Sequence, residues 1–201
     1  MIGILLAAGF SRRFGSQNKL LQPLPDQEIL AVHAAKNLLA ALPVSIAVVR
    51  QDNPALAAKL SHVGMVVIHC PADKTEMADS LVTAIEAAPA IETAAGTATS
   101  GGYVIALADM PFIQPATISR VAEAIHHGAQ IAMPSYQGQR GHPVGFAAKF
   151  HTALTQLSGD EGARAIIKRH AEALTVLETD DAGVVTDIDT QEDFRRHSQR
   201  G

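Results

Sequence analysis

Ile2-Gly3-Ile4-Leu5-Leu6-Ala7-Ala8-Gly9 opens the chain as an unbroken apolar run that ends at a glycine. A strand with one wet face alternates apolar and polar residues, whereas a strand covered on both faces is apolar throughout. The run therefore predicts a buried strand over residues 2–6. A secretory leader is the competing reading. The run has no basic leader and breaks at Gly9, which favours the strand.

Working outward, apolar runs at 44–49, 65–68, 103–107 and 130–133 also read as strands. Ala- and Leu-rich stretches at 29–42, 54–60, 80–88 and 115–128 read as helices between them, the last stopping at Gly128. Repeated alternation of this kind implies an α/β fold with a mainly parallel sheet and helices on both faces. The small, polar stretch Thr93–Gly102 reads as a surface loop, because an apolar strand follows it directly. With no internal repeat, residues 1–201 are expected to form one domain.

Composition narrows the function classes. The chain has 201 residues, 47% hydrophobic and 18% charged, which suits a globular domain with a real core. A net charge of -4 argues against a general nucleic-acid binder, which needs a basic face. A small anionic ligand needs only a local positive cluster. Cys70 is the single cysteine, so no intrachain disulfide forms, and a cytoplasmic address is expected. No apolar run approaches the ~20 residues that cross a bilayer, so no membrane partner is expected.

Four segments concentrate chemistry. In the first, Leu6, Ala7, Ala8 and Gly9 lead into Ser11, Arg12 and Arg13, with Lys19 beyond. Small residues at a strand end let backbone N–H groups approach phosphate oxygens, and Arg13 and Lys19 can neutralise them. A tight turn with solvated basic residues explains the same pattern. Neither the G-x-G-x-x-G spacing nor a G-K-[ST] P-loop is present. In the second, Val104-Ile105-Ala106-Leu107-Ala108-Asp109-Met110-Pro111 is an apolar strand that ends in a carboxylate and a proline. Ligands of open parallel sheets bind beyond the strands' carboxyl ends, where Asp109 suits Mg²⁺. A cap for the following turn is its other reading.

In the third, Val184-Val185-Thr186-Asp187-Ile188-Asp189-Thr190 would put Asp187 and Asp189 on one face if extended. Asp187 is the expected second metal-side carboxylate, while Asp189 and Thr190 serve equally well as caps, with Thr190 and Asp193 forming a capping box. The fourth, Tyr136–Phe146, crowds Arg140 and His142 among glycines and Pro143. A hairpin accounts for the glycines, and Arg140 and His142 are candidates for a second ligand. In the related loop at 157–164, Asp160 is a candidate cap and Arg164 a candidate for the ligand cleft. The remaining histidines have no zinc spacing, and no G-x-S-x-G elbow occurs.

In their order, LAAGFSRRFG with Lys19, EMADSL, ALADMP, RGHPVGF, GDEGAR and DIDTQED resemble the molybdenum cofactor cytidylyltransferases. That family sits in the wider superfamily of molybdopterin guanylyltransferases and sugar-nucleotide pyrophosphorylases. The resemblance spans essentially the whole chain. It implies a Rossmann-like, mixed but mostly parallel sheet, and transfer of CMP from CTP to the phosphate of molybdopterin with Mg²⁺ as cofactor. It places Arg13 and Lys19 at the triphosphate, Asp109 on the metal, Met77 and Ser80 beside the base or ribose, and His142 with its neighbours at the pterin. Transient contact with a molybdoenzyme or its chaperone follows as an expectation. The same resemblance leaves two alternatives: GTP as donor, with Ala8 of the LAAG block arguing for CTP, and a non-catalytic insertion chaperone for the cofactor. Glu76, Cys70 and Gln191 depart from the pattern, chiefly on the base side.

Overall fold

β1 (Ile2–Ala7) lies between β2 (Ser45–Arg50) and β4 (Gly102–Leu107), parallel to both. Its side chains feed two apolar layers, Ile2 and Ile4 one and Leu5 and Ala7 the other. This is the two-sided burial that an all-apolar strand requires. The computed structural model describes residues 1–9, 14, 18–71, 76–96, 101–159, 161–190 and 192–194. β3 (Val66–Cys70) extends the parallel half outside β2.

Helices make each crossover. α1 (Leu30–Ala41) joins β1 to β2, α2 (Pro54–His62) joins β2 to β3, and α3 (Met77–Ala94) joins β3 to β4. Together with α4 (Pro115–His126), α1 and α2 close the layer beneath Leu5 and Ala7. The opposite layer, with Ile2 and Ile4, is closed by α3, α5 (His151–Thr155) and α6 (Arg164–Arg169). Pro54 and Pro115 stand in the first turns of α2 and α4, where a missing N–H breaks no intrahelical bond. Asn53 caps α2 by accepting from the Leu56 amide at 3.3 Å.

Beyond β4 the sheet becomes mixed. β7 (Val144–Ala147) runs antiparallel to both β4 and β5 (Ile131–Tyr136). β6 (Gln139–Arg140) forms a hairpin with β5, and β8 (Leu174–Glu178) pairs parallel with β5. The order is β3-β2-β1-β4-β7-β5-β6, with β8 also on β5. Two reversals return β5 and β8 to the direction of β1 and β4. The carboxyl ends of both halves therefore face one side. The result is the expected single α/β domain with a mostly parallel sheet flanked by helices. No helix among the described residues is long and apolar enough to cross a membrane.

Two expectations need correction. The helix predicted over 80–88 runs from Met77 to Ala94 and carries Pro89 inside it. Proline removes one hydrogen bond there, but residues on both sides hold the helix down: Ala84, Ile85, Ala88 and Glu92 are buried. The segment 184–187 is not a strand. A 3-10 turn spans Ala182–Val185, and the described residues beyond it pair with no strand.

The cause of that turn is local. The buried Asp181 carboxylate accepts from the Gly183 amide at 2.9 Å, the Gln114 amide at 2.8 Å and the Thr117 hydroxyl at 2.7 Å. Gly183 is thereby pressed onto α4's approach, and a Cβ there would sit 2.2 Å from the Phe112 carbonyl oxygen. We predict that Gly183→Ala costs roughly 1–3 kcal/mol, the usual range of overpacking. For a domain of this size, that lowers the melting temperature by about 2–12 °C; an unchanged melt would remove the close approach.

Candidate active site

The site forms where β1 and β4 end. Ala7 and Ala8 are buried, Gly9 is exposed, and the Ala108 amide donates to the Leu6 carbonyl at 3.1 Å, tying the two strand ends together. Nothing lies within 4 Å of the position a Gly9 Cβ would take, so open space adjoins this backbone. Ala8 is different. It belongs to the same buried layer as Cys70 and Leu81, so its methyl contributes to packing beneath α3. Ser11 and Arg13 lie outside the described residues. Phe14 is buried edge-on to Phe194, with ring centroids 6.1 Å apart.

Lys19 begins a 3-10 turn, Lys19–Leu21, whose start is fixed by Asn18 accepting from the Leu20 amide at 3.1 Å. The lysine is only 7% exposed. Its Nζ donates to Asp109 Oδ2 and Asp189 Oδ1, each at 2.9 Å. Burial pulls the ammonium's pKa down, but attraction and hydrogen bonds from Asp109 and Asp189 outweigh it, and the pKa is raised. Asp109 stands just past β4, in the turn where the Met110 amide donates to Leu107. The Ile188 amide donates to the Asp109 carbonyl at 3.0 Å, which brings the 187–189 segment across the mouth.

Asp187 and Asp189 thus share the site without sharing a strand. Asp189, which capping alone would have explained, takes the direct contact with Lys19. Asp187, the expected metal-side residue, is exposed and makes no hydrogen bond or ion pair to that lysine among the described residues. Partial burial, followed by repulsion from Asp189 and Asp109, raises its carboxyl pKa. Two carboxylates therefore meet one ammonium, with Asp187 within electrostatic range of all three. The capping box is present beside them: the Thr190 amide donates to Asp193 Oδ2 at 2.9 Å, and the Asp193 amide donates to Thr190 Oγ1 at 3.1 Å.

On the α3 side, Ser80 is buried, with its hydroxyl 4.0 Å from Cys70 Sγ. Met77 opens α3, and its side chain lies outside the described residues. Glu76 was flagged in the sequence only as a departure, yet it has two tasks. It caps α3 reciprocally with Asp79, and its Oε2 accepts from the Gly159 amide at 2.5 Å. The loop that carries Asp160, itself outside the described residues, is thereby braced against the start of α3. A carboxylate at a helix start was the available signal; its long-range partner was not.

On the opposite side, the β5–β6 hairpin turns at Gln137 and Gly138, both with positive φ. Arg140 is exposed on β6, and its side chain makes no hydrogen bond or ion pair among the described residues. Gly141 follows it, and there a Cβ would come within 2.0 Å of the Val184 carbonyl. That close approach lets the His142 amide donate to the same carbonyl at 2.8 Å. The His142 ring is sequestered, with Nδ1 buried and without a hydrogen-bond partner. Desolvation holds the imidazole's pKa down; Asp109 raises it in part, and Arg164 lowers it further. His142 thus feels the charge of both Asp109 and Arg164. Arg164 is exposed at the first position of α6.

One histidine does join carboxylates, although the sequence has no zinc spacing. Asp26, Glu28 and His33 gather near the start of α1, with ligand atoms within 4.8 Å of one another. Lys36 pairs with Glu28 there; Asp26 is exposed, whereas Glu28 and His33 are partly buried. This is a surface ion-pair cluster remote in sequence from the strand ends.

A buried strand that runs into small residues, a lysine and an aspartate just past β4 accord with the nucleotidyltransferase-type enzyme that the family match shows. The MobA-like NTP transferase domain family matches residues 3–174, and the chain belongs to that family. The purine catabolism protein PucB of Bacillus subtilis is 30% identical, the match covering 96% of this chain and 94% of PucB. Nicotine blue oxidoreductase of Paenarthrobacter nicotinovorans is 26% identical over the same shares. Among solved structures, Rv0371c of Mycobacterium tuberculosis superposes with a TM-score of 0.80 at 26% identity, covering 100% of this chain and 99% of its own. A second structure of Rv0371c holds manganese; it is 24% identical, covers 100% and 98%, and gives a TM-score of 0.77.

The electrostatics give a paired prediction. Asp189→Asn removes one of the two counter-charges of a buried ammonium and is expected to cost about 1–2 kcal/mol, less than a fully buried pair because Asp189 is partly solvated. Asp187→Asn is expected to act the other way. A carboxyl whose pKa is raised by folding contributes stability at low pH and loses it as pH rises through the folded value. At pH 7 the ionised form is therefore a burden, and the amide should gain up to roughly 0.5 kcal/mol. Urea denaturation at pH 7 in EDTA measures both; equal effects in the two variants would contradict the geometry.

Proposed function

We propose that this chain transfers CMP from CTP to the terminal phosphate of a molybdopterin cofactor, releasing pyrophosphate. The observation that carries the reading is Lys19 beside Asp109 at the adjoining ends of β1 and β4. A cation and a carboxylate at that point suit a triphosphate and its metal ion. Family membership supports nucleotidyl transfer; the motif resemblance supports the cytidylyl donor and the pterin acceptor.

The residues fit a divalent metal by their chemistry. Asp109 and Asp189 already hold a positive charge between their oxygens, and Asp187 adds a third hard donor nearby. Asp109 with Asp187 or Asp189 would hold Mg²⁺, as an all-oxygen set favours. When bound, the metal supplies charge neutralisation on the phosphates. The manganese form of the related Rv0371c supports a divalent ion in this fold.

In the reaction, an ionised phosphate oxygen of the acceptor bonds to the α-phosphorus of CTP as the bond to the bridging α–β oxygen breaks. Both leaving charge and electron pair go to pyrophosphate. The attacking oxygen is already deprotonated, so the chain needs no strong general base and no nucleophile of its own. Lys19, joined by Arg13, offers positive charge to the β- and γ-phosphates. Leu6, Ala7, Ala8, Gly9 and Ser11 supply the backbone of the nucleotide turn, with Met77 and Ser80 on the base or ribose side. His142, Arg140, Asp160 and Arg164 are assigned to the acceptor. The unpartnered Nδ1 of His142 supports this, since a buried polar atom gains most from a ligand hydrogen bond. The buried position of Ala8 makes any preference for cytosine indirect, so the CTP assignment rests on the motif resemblance.

The test is pyrophosphate release from the purified protein with Mg²⁺ and molybdopterin cofactor, with CTP and GTP supplied separately. Release with CTP is expected. Release with GTP alone would assign the guanylyl reaction, and release with neither would favour the cofactor-holding chaperone. Asp109→Ala should reduce turnover by roughly 10²–10³-fold or more with the fold intact. His142→Ala should impair use of the pterin more than use of CTP; the reverse pattern would overturn the division of the cleft.

A further inference from the structure

Lys19 is the innermost member of its cluster. Its side chain is 8% exposed, whereas those of Asp109 and Asp189 are 25% and 38% exposed. The ammonium bonds one oxygen of each carboxylate at 2.9 Å, so it occupies the point on which both negative charges converge. The metal that the proposed function assigns to these carboxylates and this ammonium are cations competing for the same charge. Two cations sharing one pair of carboxylates repel strongly wherever solvent is thinned. The conflict is relieved only when Lys19 finds another anion.

We infer that Lys19 is the resident counter-ion of the metal site and that a nucleoside triphosphate, by offering its phosphates to Lys19, opens Asp109 and Asp189 to the divalent ion. Metal and nucleotide therefore load together, and bare metal is kept out. The inference rests on the metal role proposed for Asp109. It adds an order of loading and a second task for Lys19, which exchanges a carboxylate pair for phosphate oxygens. No bond is made or broken in this exchange; only ion pairs are redistributed.

The arrangement of the 3-10 turn supports such a movement. Asn18 holds the turn's backbone, and Leu20 is buried beneath it. The lysine's flexible stem can then redirect the ammonium over a few ångströms while its Cα stays fixed. A buried lysine without such alternative partners would be held in place permanently.

Binding of Mn²⁺ alone, followed by electron paramagnetic resonance of the free ion, tests the inference without turnover. The proteins are wild type, Lys19→Gln, Asp109→Asn and the double variant Lys19→Gln/Asp109→Asn, each checked by circular dichroism. Wild type should bind Mn²⁺ weakly alone. Lys19→Gln should bind it at least about tenfold more tightly, because the competing charge is gone, and the double variant should lose that gain. Wild type should recover Asp109-dependent Mn²⁺ binding when CTP or GTP is added. Equal Mn²⁺ affinity in wild type and Lys19→Gln, with Asp109-dependent binding in the presence of nucleotide, would overturn the resident-cation role and leave the metal site standing. Loss of no binding in Asp109→Asn under any condition would overturn both. Should Lys19→Gln fail to fold, wild type decides alone: Asp109-dependent Mn²⁺ binding as tight without nucleotide as with it overturns the inference.

Discussion

A buried ammonium cannot stand without counter-charge, and that requirement organises the ligand-binding edge of this molecule. Lys19 is nearly inaccessible, so two carboxylates must reach it. One is delivered by the end of β4, the other by a segment eighty residues later in the chain. The remaining architecture can be understood as the means of delivery. β1 and β4 pair in parallel, which sets the lysine's turn beside Asp109. The C-terminal segment crosses the same edge and is held by the Ile188–Asp109 backbone bond. Local charge balance and global topology thus converge on a single atom, Lys19 Nζ.

Much of this was legible in the sequence because it rests on local patterns. An all-apolar run that ends in small residues has few structural meanings, and a proline just after a strand-end aspartate stops the strand there. The sheet's parallel half follows from such signals. Its antiparallel half was harder to read, since β7 is only four residues long and β8 carries exposed positions that blur an apolar run. The length of α3 was obscured by Pro89, whose local cost is outweighed by burial that only the folded chain displays.

The division of labour between Asp187 and Asp189 shows where reading by period fails. Alternation along a strand assigns both to one face, but a strand needs a partner, and the described residues beyond the 3-10 turn at Ala182–Val185 have none. Asp181 creates that turn through a local bond from Gly183 and two bonds from the distant Gln114 and Thr117. Such bonds leave no trace in spacing. The same holds for Glu76, whose capping role is local while its bond to Gly159 spans 83 residues of the sequence. Charge type was visible at each position; the partner had to be supplied by the fold.

The reversal of strand direction at β7 divides the sheet into two stretches of chain. Residues up to Asp109 build the edge that carries Lys19 and Asp109, and residues from β5 onward build the opposing edge, with β4·β7 pairing as the seam. Substitutions in the later stretch can reshape one edge while the earlier stretch keeps the other. Evolution can therefore treat the two edges as separately inheritable parts. Asp189 crosses that division, since it belongs to the later stretch but pairs with Lys19 of the earlier one, and any lineage that remodels the later edge must preserve that carboxylate or find Lys19 another.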